Sequence, residues 1–150
     1  MKIASLRCFI LTLPMVFGVA AAHAVCFHPH GTVSGYKLPL KTEVRNSPSI
    51  AVGTVISARA LQEDPSDLAG ITAFIYTIDF SQELKGDVPK RIALRSENDS
   101  GSYRMVRGET DLLFLSYLDG KFTVDACGNS TVLPAGQKVM LEVRKILAHP

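Results

Sequence analysis

The sequence predicts a mainly β chain: a small closed Greek-key barrel followed by a C-terminal amphipathic helix. Three observations carry this expectation. β-branched and aromatic residues alternate over several short runs. Gly, Pro and an Asp-Gly pair punctuate those runs. The apolar period changes from two to about 3.6 only near the C-terminus.

The chain has 150 residues, which suits one domain and excludes a multidomain enzyme. Its opening, residues 1–24, has a basic start at Lys2 and Arg7, an apolar run from Cys8 to Ala22, and small residues Ala22 and Ala24 around His23. That pattern predicts a secretory signal peptide cut after Ala24. A cut after Val25, which would make Cys26 the first residue, places less suitable residues at the cleavage site. The whole chain carries 16 Lys plus Arg and 14 Asp plus Glu. Lys2 and Arg7 leave with the leader, so the mature chain, 25–150, has no net charge and no basic surplus for nucleic acid or anionic lipid. No later apolar stretch reaches the roughly 18 to 20 residues that cross a bilayer. A secreted or periplasmic protein is therefore expected.

Export leaves two cysteines, Cys26 and Cys127, and exported thiols tend to pair. A disulfide between them closes a loop worth up to about 4 to 5 kcal/mol in the chain-entropy picture; two buried free thiols are the alternative.

Val25 to Ser49 holds Pro29, Gly31, Gly35, Pro39 and Pro48, which makes it an arm with one helical turn around Lys41 to Arg45. Ile50 to Ala58 alternates as a strand, and Gly53 within it marks a bulge or bend. Leu61 to Gly70 is an acidic loop. Ile71 to Phe80 sets Phe74, Tyr76, Ile78 and Phe80 on one face, as in the central core strand. Leu84 to Asp87 is a turn, and the segment around Ile92 and Leu94 is a half-exposed strand. Glu97 to Ser102 is another loop. Leu112 to Leu118 and Lys121 to Val124 flank Asp119-Gly120, the signature of a type I′ hairpin. Val139, Met140, Val143, Ile146 and Leu147 then fall on one stripe of a helix. Five strands suit a barrel of the OB type better than a sandwich, which takes about seven.

Five segments occur in a telling order: Cys26 near the mature start, SPSIAVGTV (Ser47 to Val55), YTIDFSQELKGDVP (Tyr76 to Pro89), VRGETDLLFL (Val106 to Leu115) and DACGNS (Asp125 to Ser130). Together they resemble the bacterial branch of the tissue-inhibitor-of-metalloproteinases and netrin-like module family, over about Cys26 to Leu133. The resemblance implies an OB-like barrel, a disulfide from the N-terminal arm and a strand ending in a Lys-Gly turn. It also implies binding to a protein partner. Animal members carry several disulfides, whereas only one forms here, and many bacterial relatives have a further Cys near the stretch occupied by Ser100 to Tyr103. In the animal inhibitors a leading Cys chelates the protease zinc through its free amine and carbonyl. Val25 in front of Cys26 is incompatible with that route.

Other chemistry is thinly represented. Cys26, His28 and His30 form a short cluster of metal-ligand types, but an oxidised Cys26 offers no thiolate and two His make a weak site. GTVSG (Gly31 to Gly35) lacks the spacing of a nucleophile elbow, and no His sits beside a candidate nucleophile. Glu63, Asp64 and Asp67 read as solvated acids rather than a catalytic pair or a calcium loop. Phe74, Tyr76, Phe80, Phe114 and Phe122 sit at core spacing. Asn98 and Asn129 match the glycosylation sequon, relevant only in a eukaryotic route.

The expectation is an exported, non-enzymatic protein-binding module with no cofactor and no metal. Its candidate partner surface is Val25, Phe27, Tyr36 and Tyr103. The alternatives are a structural envelope protein or a small hydrolase whose residues are scattered in sequence.

Overall fold

A computed structural model describes Cys26 and residues 36–66, 70–99 and 101–149. The expected signal peptide, Val25, Phe27, His28 and His30 lie outside the described residues. Short helix α1 (Leu40–Asn46) precedes strands β1 (Ser49–Leu61), β2 (Ala73–Lys85), β3 (Arg91–Glu97), β4 (Thr110–Leu118), β5 (Lys121–Thr123) and β6 (Thr131–Val132), and helix α2 (Gln137–Ala148) ends the domain. The sheet order is β3-β2-β1-β4-β5, every pairing antiparallel, with β6 added to β4. β3 comes round beside β5, and Ser102 bridges to Asp125. The sheet is thus a nearly closed barrel with a terminal helix, consistent with the OB-like class expected from the sequence.

The wall of the barrel is buried on both sides where β1 meets β4. Ala51 and Val55 of β1 and Leu113 and Leu115 of β4 point inward, onto Tyr76, Ile78, Phe80, Ile92 and Leu94. The intervening Ile50, Val52, Leu112 and Phe114 point outward, under Val44 of α1 and Met140 and Val143 of α2. Burial on both faces is why Ile50–Val52 and Leu112–Leu115 read as unbroken apolar runs instead of alternating. Gly53 lies where β1 bends and its pairing with β2 shifts register. A Cβ there would come within 2.6 Å of Ile78 and 2.8 Å of Phe80, so the missing side chain is the room those two need.

Three expectations need correction. The central strand is β1, not the run from Ile71 to Phe80. β1 continues beyond Ala58 to Leu61, and its exposed end is held by backbone pairing and by Ser57 Oγ donating to Thr77 Oγ1 at 2.8 Å, not by apolar alternation. Similarly, β2 starts at Ala73 and runs on through polar Ser81–Glu83 to Lys85, with Gln82 and Glu83 paired with Val52 and Ala51. The Asp119-Gly120 turn is as expected: both residues have positive φ, 49° and 77°, which is the type I′ requirement.

Helix α1 is too short to persist alone, and the Lys85-Gly86 turn explains how it is kept. Lys85 Nζ donates to the carbonyls of Val44, Arg45 and Ser47 at 2.7, 2.9 and 2.6 Å. An ammonium there meets the negative end of the helix and its orphan carbonyls together. Gly86 has φ 72°, and a Cβ would lie 2.2 Å from the Pro48 carbonyl oxygen. The Lys-Gly pair is therefore a clamp for α1 and not only a strand ending.

Candidate functional site

The arm and the loop that follows β5 form one edge of the molecule. Cys26 and Cys127 are joined by a disulfide, with Cα atoms 5.5 Å apart, within the usual span for such a bridge. Next to it the arm is hydrogen-bonded like a short strand. Tyr36 N–H donates to the Cys26 carbonyl at 3.0 Å and Leu38 N–H to the Cys127 carbonyl at 3.1 Å. The Leu38 carbonyl in turn accepts from Asn129 Nδ2 at 2.7 Å.

Several residues of Asp125–Ser130 have separate tasks here. Asp125 Oδ1 accepts from Cys127 N–H at 2.7 Å, an Asx turn that sets the direction of the cysteine. Gly128 faces Glu43, whose Oε1 is 2.2 Å from where a Cβ would be. Asn129 donates to Glu43 Oε2 twice, from its backbone N–H at 2.7 Å and its side-chain amide at 2.6 Å. Ser130 Oγ accepts from Phe114 N–H at 3.0 Å inside the domain. Glu43 is 6 % exposed. Burial pushes its carboxyl above the usual range, the two Asn129 hydrogen bonds pull it back, Asp125 adds a smaller upward push and Lys37 a smaller downward one.

Tyr36 is half-buried within this edge, and Val25 and Phe27 lie outside the described residues. Tyr103 is half-buried as well, next to Ser102, which bridges to Asp125. It packs against the inner core, and its hydroxyl donates to Asp111 Oδ1 at 2.8 Å. The loop-like surroundings suggested a surface residue, but its hydroxyl is used inside the domain. Burial and the Asp111 charge raise the phenol pKa. Asp111 is 1 % exposed, and among the described residues its Oδ2 has no hydrogen-bond partner. Desolvation raises its carboxyl, the Tyr103 hydrogen bond lowers it and Glu109 raises it further.

The acidic loop behaves as solvated acids. Glu63 pairs bidentately with Arg95 at 2.8 and 2.7 Å, and the Arg95 hydrogen bonds hold its carboxyl below the usual range. Asp67 lies outside the described residues. Asn98 and Asn129, the two sequon positions, use their amides internally, Asn98 on the Ile71 carbonyl at 2.6 Å. Among the described residues no three His, Cys, Asp or Glu side chains gather as a metal-binding group, and no helix is long and apolar enough to cross a membrane.

Sequence reasoning missed Glu43, Lys85, Asn129 and Asp111. Only Asp111 left a signal: it stands on the same strand face as Leu113 and Leu115, where an acid is out of place. A scan of the chain against protein-family models finds no match, and a search of curated proteins finds none either.

Proposed function

We propose that the chain is an exported, non-enzymatic protein-binding module whose recognition edge is the N-terminal arm together with the loop 125–130. The observation that carries this reading is the fastening of the arm. A disulfide, two backbone hydrogen bonds and the Asn129 amide hold Cys26, Tyr36 and Leu38 at the loop 125–130. Fixing a segment before a partner arrives removes ordering entropy from binding, which is what a recognition edge requires. The disulfide supports an oxidising compartment, in keeping with the signal-like residues 1–24. The resemblance to the bacterial metalloproteinase-inhibitor and netrin-like modules supports the same edge. With Val25 in front of Cys26, the edge binds a protein without chelating a protease zinc.

The test places a photo-crosslinking phenylalanine analogue at exposed Lys37 on the arm and, separately, at exposed Lys138 on α2, in the exported chain in its own host. The expected result is a discrete protein adduct at position 37 that disappears with Cys127→Ser, and none at 138. Adducts at 138 alone, or at neither position, contradict the reading and favour a structural role in the envelope.

A further inference from the structure

We infer that the groove between α1 and α2 is a binding site for a carboxylate amphiphile, an aliphatic chain ending in a single negative charge. This site uses none of Cys26, Tyr36, Leu38 or the loop 125–130 and does not depend on the proposed recognition role.

The two helices lie side by side on the outer face of the barrel. Between them is a cavity of about 220 Å³ with Val44, Ile146 and Leu147 on its walls and Lys41, Arg45 and His149 around it. A shallower depression of about 430 Å³ adjoins it and shares Lys41, Ile146 and His149. Together they have the size and mixed character of a small-molecule site, apolar walls with a few polar groups at one side.

The charges point to an anion. No acidic side chain lines the smaller cavity. The single acid of the adjoining depression, Glu142, is paired with Lys145 at 3.2 Å. Lys41 and Arg45 lie four residues apart on α1, one turn of the same face. The ion pairs among the described residues are Arg91–Asp79, Arg95–Glu63, Arg95–Glu97 and Lys145–Glu142, so neither Lys41 nor Arg45 is neutralised. Lys85 also lines the cavity, but its ammonium is held by the carbonyls of Val44, Arg45 and Ser47. The head group therefore falls to Lys41 and Arg45, with His149 beside them.

The backbone decides between an acyl chain and a peptide. Peptide ligands need donors and acceptors for their own amides, because a buried amide without a partner is costly. The walls here are mainly helix side chains, the Val44 and Arg45 carbonyls near the end of α1 are bound by Lys85, and the Lys145 and Ile146 carbonyls of α2 by His149 N–H. An aliphatic chain makes no such demand. It covers Val44, Ile146 and Leu147 while its carboxylate meets the cations.

The probe is decanoate, titrated calorimetrically below its micellar concentration into the mature, disulfide-intact chain. The expected result is saturable one-to-one binding, with decylammonium giving none. Lys41→Ala with Arg45→Ala should weaken it about tenfold, the effect of losing a charge-assisted contact. The charge-reversed pair Lys41→Glu with Arg45→Glu should exchange decanoate for decylammonium. Circular dichroism confirms that each variant folds, and none of these changes touches Cys26, Cys127 or Asn129. Absence of saturable decanoate binding to the wild type, equal binding of decylammonium, or displacement of decanoate by a Leu-Leu-Leu peptide at lower concentration would each overturn the inference.

Discussion

Two buried carboxylates, Glu43 and Asp111, sit in this small domain under opposite arrangements. Glu43 receives two hydrogen bonds from Asn129 and faces a glycine whose missing side chain makes room for it. Asp111 receives one, from Tyr103, and among the described residues its second oxygen has no partner. Both are raised by desolvation, so the contrast is not one of burial but of what the surroundings were built to do. Around Glu43, the arm, the disulfide loop and α1 all converge. Around Asp111, one phenol reaches the carboxylate from the connection between β3 and β4, which is itself held by buried Met105 and by Ser96 Oγ on the Tyr103 carbonyl. The difference teaches that the Glu43 carboxylate belongs to an assembled edge and the Asp111 carboxylate to a single side-chain contact.

Breaking the assembled side should have the larger effect. Cys127→Ser or Cys26→Ser is expected to cost about 2 to 5 kcal/mol, read as a drop in the urea midpoint that reductant reproduces in the wild type. Next comes Asn129→Ala, which turns Glu43 into a carboxylate as poorly served as Asp111. It should cost about 1 to 3 kcal/mol in the same titration. It should also move the Glu43 pKa further upward, because the lost side-chain hydrogen bond was lowering it while only the backbone N–H bond remains; a carboxyl-labelled NMR titration reads this directly.

On the solitary side, Tyr103→Phe removes the one donor to Asp111 and is expected to cost about 1 kcal/mol. Faster amide exchange should be confined to residues 101–109, with the arm unchanged. The smallest effect is a slope. A carboxyl whose folded pKa lies above its unfolded value binds its proton more tightly when folded. Its favourable contribution is complete below the ordinary Asp range and fades as pH rises through the raised folded value. Asp111→Asn should therefore flatten the fall in stability above that range, seen by comparing urea midpoints at acid and neutral pH. An unchanged slope would show that Asp111 is ionised in the fold without penalty. Glu63 and Asp79, held down by Arg95 and Arg91, act in the opposite direction but are exposed and screened.

The barrel itself was legible because its signals are local. Asp119-Gly120, Gly53 and the stripe from Val139 to Leu147 each announce their own geometry. The ends of β1 and β2 were not legible, since Ser57, Arg59, Ser81 and Glu83 are exposed and are held by pairing partners distant in sequence. The site divides in the same way. The pairing of Cys26 with Cys127 follows from counting thiols once residues 1–24 are read as a leader, whereas Glu43 meets Asn129 across 86 positions, a separation over which composition carries no information. Tyr103 misled because a loop context describes its neighbours in sequence and not the Asp111 side chain waiting inside the barrel.

The arm edge stands or falls on one covalent link, and peptide mapping of the exported chain without reductant tests it most directly. The account predicts one cross-linked species joining the fragment that contains Cys26 to the fragment that contains Cys127, in a chain two hydrogens lighter than its sequence mass. Recovery of both cysteines alkylated, on separate fragments, would contradict it.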